Sequence, residues 1–158
     1  MPEDWRRTSV EHWGYTCSSD QEADSLVWPV RFKPAVTLLL VLLGWAFERP
    51  SLLIVVGLLG LLGTFVQSLS WIDLLYNHGV RRVFAAPALG PDPALRRWLC
   101  GMADGFVLGS GLALRGGHPG LAFVLADLVV LLAGSVVLTG ICLPAYFIYR
   151  YRIMKPRR

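Results

Sequence analysis

The sequence predicts an all-α membrane protein of four transmembrane helices arranged as two helical hairpins. Three observations carry that expectation. Hydrophobic residues make up 54% of the 158 and charged residues only 16%, with a mean hydropathy of +0.52, which is more apolar side chain than one soluble core of this length can hide. The apolar residues fall into four runs long enough to cross a hydrocarbon core of about 30 Å, which needs roughly 20 helical residues or somewhat fewer where flanking groups snorkel. Two tight turns, Glu48-Arg49-Pro50-Ser51 and Gly116-Gly117-His118-Pro119, join the runs in pairs.

Residues 1–28 are polar and mixed in charge, with scattered Trp5, Trp13, Tyr15 and Trp28. No basic region, apolar region and small-residue cleavage site occur in order, so this stretch reads as a retained cytoplasmic tail rather than a cleaved signal peptide. The first span is expected over about 32–47, introduced by Arg31 and Lys33, with Pro34 near its first turn where a missing N–H costs nothing. Pro50 presets the start of the second span, 52–75. Within it Gly57, Gly60 and Gly63 recur every three residues and lay a stripe along which another helix can approach. Thr64, Gln67, Ser68 and Ser70 add polar groups that must find partners inside the bundle or at its interface.

Residues 76–97 form the central linker, with Asn77-His78-Gly79, then Arg81-Arg82, then the proline-rich stretch 86–93. Asp92 before Pro93 reads as an N-cap and first helical residue, so the next helix starts ahead of the membrane and enters it near Trp98, with Arg96 and Arg97 at the headgroups. The third span, 98–114, carries Gly101, Gly105 and Gly109 at intervals of four, a pattern for close helix packing. The fourth runs over 120–149 and is followed by the basic tail 151–158, so one membrane domain occupies 29–150. His118 reads as a solvated turn residue, and no second histidine or acidic cluster beside it suggests a metal. From turn proline to exit tyrosine the separations are 26 residues (Pro50 to Tyr76) and 27 (Pro119 to Tyr146), which suggests a parallel pseudo-repeat of the two hairpins.

With both termini in the cytoplasm, thirteen of the 15 basic residues lie inside and only Arg49 and Arg115 outside, which predicts an N-in, C-in topology. The net charge of +4 then reflects orientation and contact with membrane lipids, with no case for nucleic acid. Cys17, Cys100 and Cys142 all fall on the reducing side, so no structural disulfide is expected. Cys100 and Cys142 share a depth. Cys142, in the helix exit Thr139 to Tyr146, is the candidate reactive thiol, with Arg150 and Arg152 available to favour its thiolate; buried packing is the plainer role for such a residue.

Two carboxyls lie within the spans. Asp104 is about 9 Å in from Trp98 and Asp127 about 10 Å in from the outer turn, an offset of about 10 Å that keeps them from pairing. The expected role of Asp104 is to fix helix register by hydrogen bonding to Thr64, Gln67 or Ser68, with proton relay as the alternative for the two acids. No phosphate-binding glycine loop, zinc spacing or serine-histidine-acid set is visible, which argues against a conventional enzyme, and no cofactor is assigned.

Arg31-Phe32 and Ala35-Val36-Thr37 at the first span, Leu74-Leu75-Tyr76 followed by basic residues and Leu89-Gly90-Pro91, and Thr139-Gly140-Ile141-Cys142 near Tyr146 resemble the DUF4395 family of small bacterial membrane proteins. The resemblance covers about residues 25–150 and implies a multi-pass bacterial membrane protein, the family being one of unknown function. Other small bacterial inner-membrane proteins, including some attached to rhodanese modules, carry a similar Gly-Cys-Pro-Tyr exit. The resemblance also implies a second cysteine three positions after the first in relatives; Ala145 stands there, which leaves Cys142 to act alone or with Cys100. The expected function is a non-catalytic accessory or assembly subunit of the inner membrane, packing against other membrane subunits or itself. Thiol or sulfur handling at Cys142 is the alternative, and a small transporter or channel using Asp104 and Asp127 the third.

Overall fold

The computed structural model describes residues 9–17, 19–66, 70–84 and 92–154, and among these the chain is helical with no strand. Helix α1 runs Asp20–Ala46. Ser19 caps it, its hydroxyl accepting from the Glu22 N–H at 3.2 Å, and Asp20 and Glu22 suit the positive end of the helix dipole. The helix therefore begins a dozen residues before the expected Phe32, because a good cap sets a helix start whatever the polarity that follows. Pro29 and Pro34 both lie inside it. Each lacks the N–H that would bond the carbonyl four residues back, so each leaves one helix carbonyl open.

Helix α2 runs Pro50–Phe65, with Pro50 at its first turn. The connection from α1 is closed by the Phe47 N–H on Leu43 O (3.0 Å) and the Arg49 N–H on Gly44 O (2.9 Å), and Glu48 takes a φ of 48° in the turn. The apolar run read as one helix to residue 75 is interrupted after Phe65, where Val66 turns extended. Gln67 and Ser68 lie outside the described residues. The chain resumes as a short helix α3, Trp71–Leu75, a π-helical turn Tyr76–Val80 and a last turn α4, Arg81–Phe84. Tyr76 is buried there with its ring centroid 5.3 Å from that of Phe32.

Helix α5 runs Ala94–Arg115, α6 runs Pro119–Thr139 and α7 runs Leu143–Met154. The long run expected over 120–149 is thus two helices. Gly140 ends α6 at a φ of 76°, the left-handed conformation that glycine adopts without penalty, and the Arg31 guanidinium occupies the space a Cβ would need.

Helices α1, α2, α5 and α6 close a four-membered ring in which α1 and α5 each touch α2 and α6. Val41, Leu53, Val56, Val107, Ala126 and Val129 form its core. The tightest seam is between α2 and α5, which run antiparallel: Ile54 meets Gly111, Gly57 meets Leu108, Gly60 meets Asp104 and Thr64 meets Gly101. At Gly57 an added Cβ would lie 2.6 Å from the Leu108 backbone nitrogen, so glycine is what lets the two helices approach. Helices α1 and α6 are long and apolar enough to cross a membrane, while α2 is apolar but only 16 residues long.

Candidate functional site

The N-terminal ends of α1 and α5 and the C-terminal ends of α2 and α6 lie together, and there the structure buries a group of charges. Asp92 stands just ahead of α5 and pairs with Arg96 one turn on, Oδ1 to Nη1 at 2.9 Å. Lys33 of α1 donates to Asp92 Oδ2 at 3.2 Å and lies 3.7 Å from Asp73 of α3. Side-chain exposures of 0% for Arg96 and 4% for Asp92 put this pair out of water. Arg96 completes its bonding by geometry that α1 provides. Pro34 has no N–H for the Val30 carbonyl, and Arg96 Nη2 donates to that carbonyl instead at 3.2 Å.

Residues 9–17 close this end. Tyr15 donates its hydroxyl proton to Asp92 Oδ1 (3.1 Å) and accepts from Arg96 Nη1 (2.6 Å). The Arg96 guanidinium also sits 5.8 Å from the Trp13 ring centroid and 5.7 Å from that of Tyr15, within cation–π range. Trp13 packs with Val30, Val136, Cys142 and Ala145, and His12 Nε2 accepts from the Cys142 N–H at 3.0 Å. The segment read from sequence as a polar tail is, over these residues, a packed cap.

The charges follow from these contacts. Burial alone would raise the Asp92 carboxyl, but Arg96 and then Lys33, with hydrogen bonds from Lys33 and Tyr15, hold it below its ordinary value. Burial pushes the Tyr15 phenol up to about 12 against the opposing pull of Arg96. Tyr15 is therefore a proton donor at neutral pH, which is the form its bond to Asp92 needs. Burial also pushes the Cys142 thiol up, offset in part by a backbone hydrogen bond from Ala145.

Beneath the charged end lies a cavity of about 110 Å³. Trp13, Lys33, Cys100, Asp104 and Cys142 line it, so the two cysteines that share a depth in the sequence also share a wall. None of the three cysteines is in a disulfide. Asp104 is buried against Gly60, and its Oδ2 has no hydrogen-bond partner. Thr64, named from sequence as a partner, spends its hydroxyl on the Gly60 carbonyl at 3.2 Å; Gln67 is outside the described residues.

Asp127 stands elsewhere, exposed on the outward face of α6. Of the glycines singled out by spacing, Gly57, Gly60 and Gly101 lie in the α2–α5 seam and Gly63 touches Ser70. Gly109 meets Leu125 of α6 at 3.2 Å, and Gly105 has nothing within 4 Å. His118 is exposed in its turn, and among the described residues no group of three metal-ligating side chains occurs.

The charged network is what sequence reasoning missed. Its signal was present as Asp92 and Arg96 at helical spacing and as Lys33, a cation inside an apolar run, but Asp92 was read as a helix cap and Arg96 and Lys33 as charges for orientation.

No curated protein and no solved structure matches the chain. A family profile described as a domain of unknown function matches residues 28–152, nearly the whole helical region described above, and the chain belongs to that family, DUF4395.

Proposed function

We propose that this protein is a non-catalytic integral membrane subunit of the bacterial inner membrane, with α1, α2, α5 and α6 spanning, both termini cytoplasmic, and α6 as its face toward a second copy of the chain. The arrangement of polarity supports the membrane reading. Lys33, Arg96, Asp104 and Ser110 are buried, while Leu39, Leu62, Phe123 and Leu131 are half or more exposed. A soluble core helix of such hydropathy would be mostly buried, whereas only 22% of the apolar window of α1 or α6 is.

The observation that carries the packing reading is Asp127. It stands exposed on an otherwise apolar face of α6, where a lone carboxyl in lipid costs about 2.5–3.5 kcal/mol on insertion scales. Gly120 and Gly134 lie one heptad to either side of it, with space for a Cβ at both, and Val124, Leu131 and Leu138 alternate with these three on the same outward face. This is the 3.5-residue seam of a left-handed helix pair. Two copies in one membrane share orientation, so their α6 helices meet parallel and in register, and each Asp127 finds the other as a hydrogen-bonding partner.

The test has two arms. Alkaline-carbonate washing of native membranes is expected to leave the chain in the pellet, and release into the wash would overturn the membrane reading alone. Oxidative cross-linking of Leu131→Cys and Val124→Cys is expected to give dimers, with none from Val129→Cys on the buried face. Absence of cross-links at the outward positions, together with recovery of a monodisperse monomer in mild detergent, would overturn the packing reading.

A second reading, thiol chemistry at Cys142, is favoured by the cavity wall it shares with Cys100. Its test is maleimide labelling from each side of the membrane. Burial of Cys142 predicts labelling slower than that of a free small thiol, and fast labelling from the cytoplasmic side would instead support a reactive thiol.

A further inference from the structure

We infer that the cavity beneath the charged end is a binding site for a small hydroxylated aromatic ring, with Asp104 as acceptor for its hydroxyl. The site is separate from the outward face of α6 and does not depend on what packs there.

Its size and walls come first. A volume of about 110 Å³ is of the order of the roughly 150 Å³ apolar cavity that admits benzene, so one ring fits. Trp13, Pro34, Phe106, Leu132 and Val136 supply apolar wall, with Trp13 and Phe106 able to meet a ring edge-on or offset.

The polar requirement is set by Asp104. The residue is only 6% exposed, and its Oδ2 has no hydrogen-bond partner. Thr64 spends its hydroxyl on the Gly60 carbonyl, and the Lys33 ammonium faces Asp92 and Asp73. On the α2 side the carboxyl lies so close to Gly60 that not even a Cβ fits between them, and the cavity that Asp104 lines is the open side of the residue. A buried acceptor left without a donor is costly, and a ligand that supplies one gains that difference on binding.

Charge narrows the class. Lys33 and Asp104 both line the cavity, so a ligand of either charge would meet one like charge there beside one opposite charge, and gains less than a charge of one sign alone would give it. A neutral hydroxyl on an apolar ring avoids that conflict.

The experiment uses the full chain in detergent micelles and two probes, 4-fluorophenol and 4-fluorotoluene, followed by fluorine NMR. Saturable binding is expected for both, with the phenol about tenfold tighter through one hydrogen bond. Asp104→Leu is expected to bring the two affinities together, Asp104→Asn to keep the preference by keeping an acceptor oxygen, and Ala133→Phe to abolish binding of both by filling the cavity. Absence of saturable binding to the wild type, a tenfold preference that persists in Asp104→Leu, or unaltered binding in Ala133→Phe would each overturn the inference. Should Asp104→Leu not fold, the phenol-to-toluene ratio of the wild type and the response of Ala133→Phe decide it.

Discussion

With Arg96 fully buried, replacing Asp92 by Asn leaves a guanidinium that keeps Tyr15 and the Val30 carbonyl but loses its counter-charge. Breaking one member of a buried pair costs about 3–5 kcal/mol, so Asp92→Asn is expected to lower thermal stability by that order and to loosen residues 9–17. Tryptophan fluorescence reports this, with Trp13→Phe as the control. The same contacts fix the pH dependence. The folded carboxyl of Asp92 titrates below its ordinary value of 3.8, so the stability it contributes is complete above that value and is lost as pH falls through the depressed one. On the alkaline side Tyr15 holds its proton more tightly when folded, so stability declines as pH rises from 10.0 to about 12. A cap that detaches at pH 5 would contradict the first assignment. These residues were visible in the sequence but not their partnership, because Tyr15 and Arg96 are 81 positions apart and their pairing rests on where α1 and α5 end.

At the scale of elements, the seam between α2 and α5 yields a contrast between two glycines. Gly57→Ala places a methyl 2.6 Å from the Leu108 nitrogen and is expected to destabilise by about 1–3 kcal/mol, since the backbone must move to admit it. Gly105→Ala meets nothing within 4 Å and is expected to be neutral or to stabilise by up to about 1 kcal/mol through helix propensity. Thermal unfolding in detergent ranks the two, and the reverse order would contradict the packing described. The glycine stripe on α2 was legible because small residues mark close approach. The face of α5 was only partly so: Gly101, Asp104, Leu108 and Gly111 meet α2, alternating steps of three and four, whereas glycine spacing alone pointed to Gly105 and Gly109. Where one helix supplies the glycine, its partner presents a larger side chain, and nothing in that helix's own sequence marks it. The breaks at Phe65 and Gly140 were hidden for a related reason, since hydropathy continues across both and only backbone conformation shows the interruption.

For the molecule as a whole, helical class and paired turns were legible from hydropathy and from Pro50 and Pro119, each of which opens a helix as its fixed φ suits. The cavity was not, because its lining comes from the N-terminal segment and from α1, α5 and α6, and continues past the break at Gly140 to Cys142 and Pro144. Distribution of polarity is the feature that sequence and structure share: charge is gathered inside one end, and the flanks of α1, α2 and α6 are apolar.

The bond from the Cys142 N–H to His12 spans 130 positions and joins the first described segment to the start of the last helix. During synthesis, then, the cap has no complete seat until Cys142 has been made, after the four long helices that precede it. A chain halted before Cys142 would lack the contacts that this residue and Ala145 make with His12 and Trp13, and its N-terminal segment would be less completely docked.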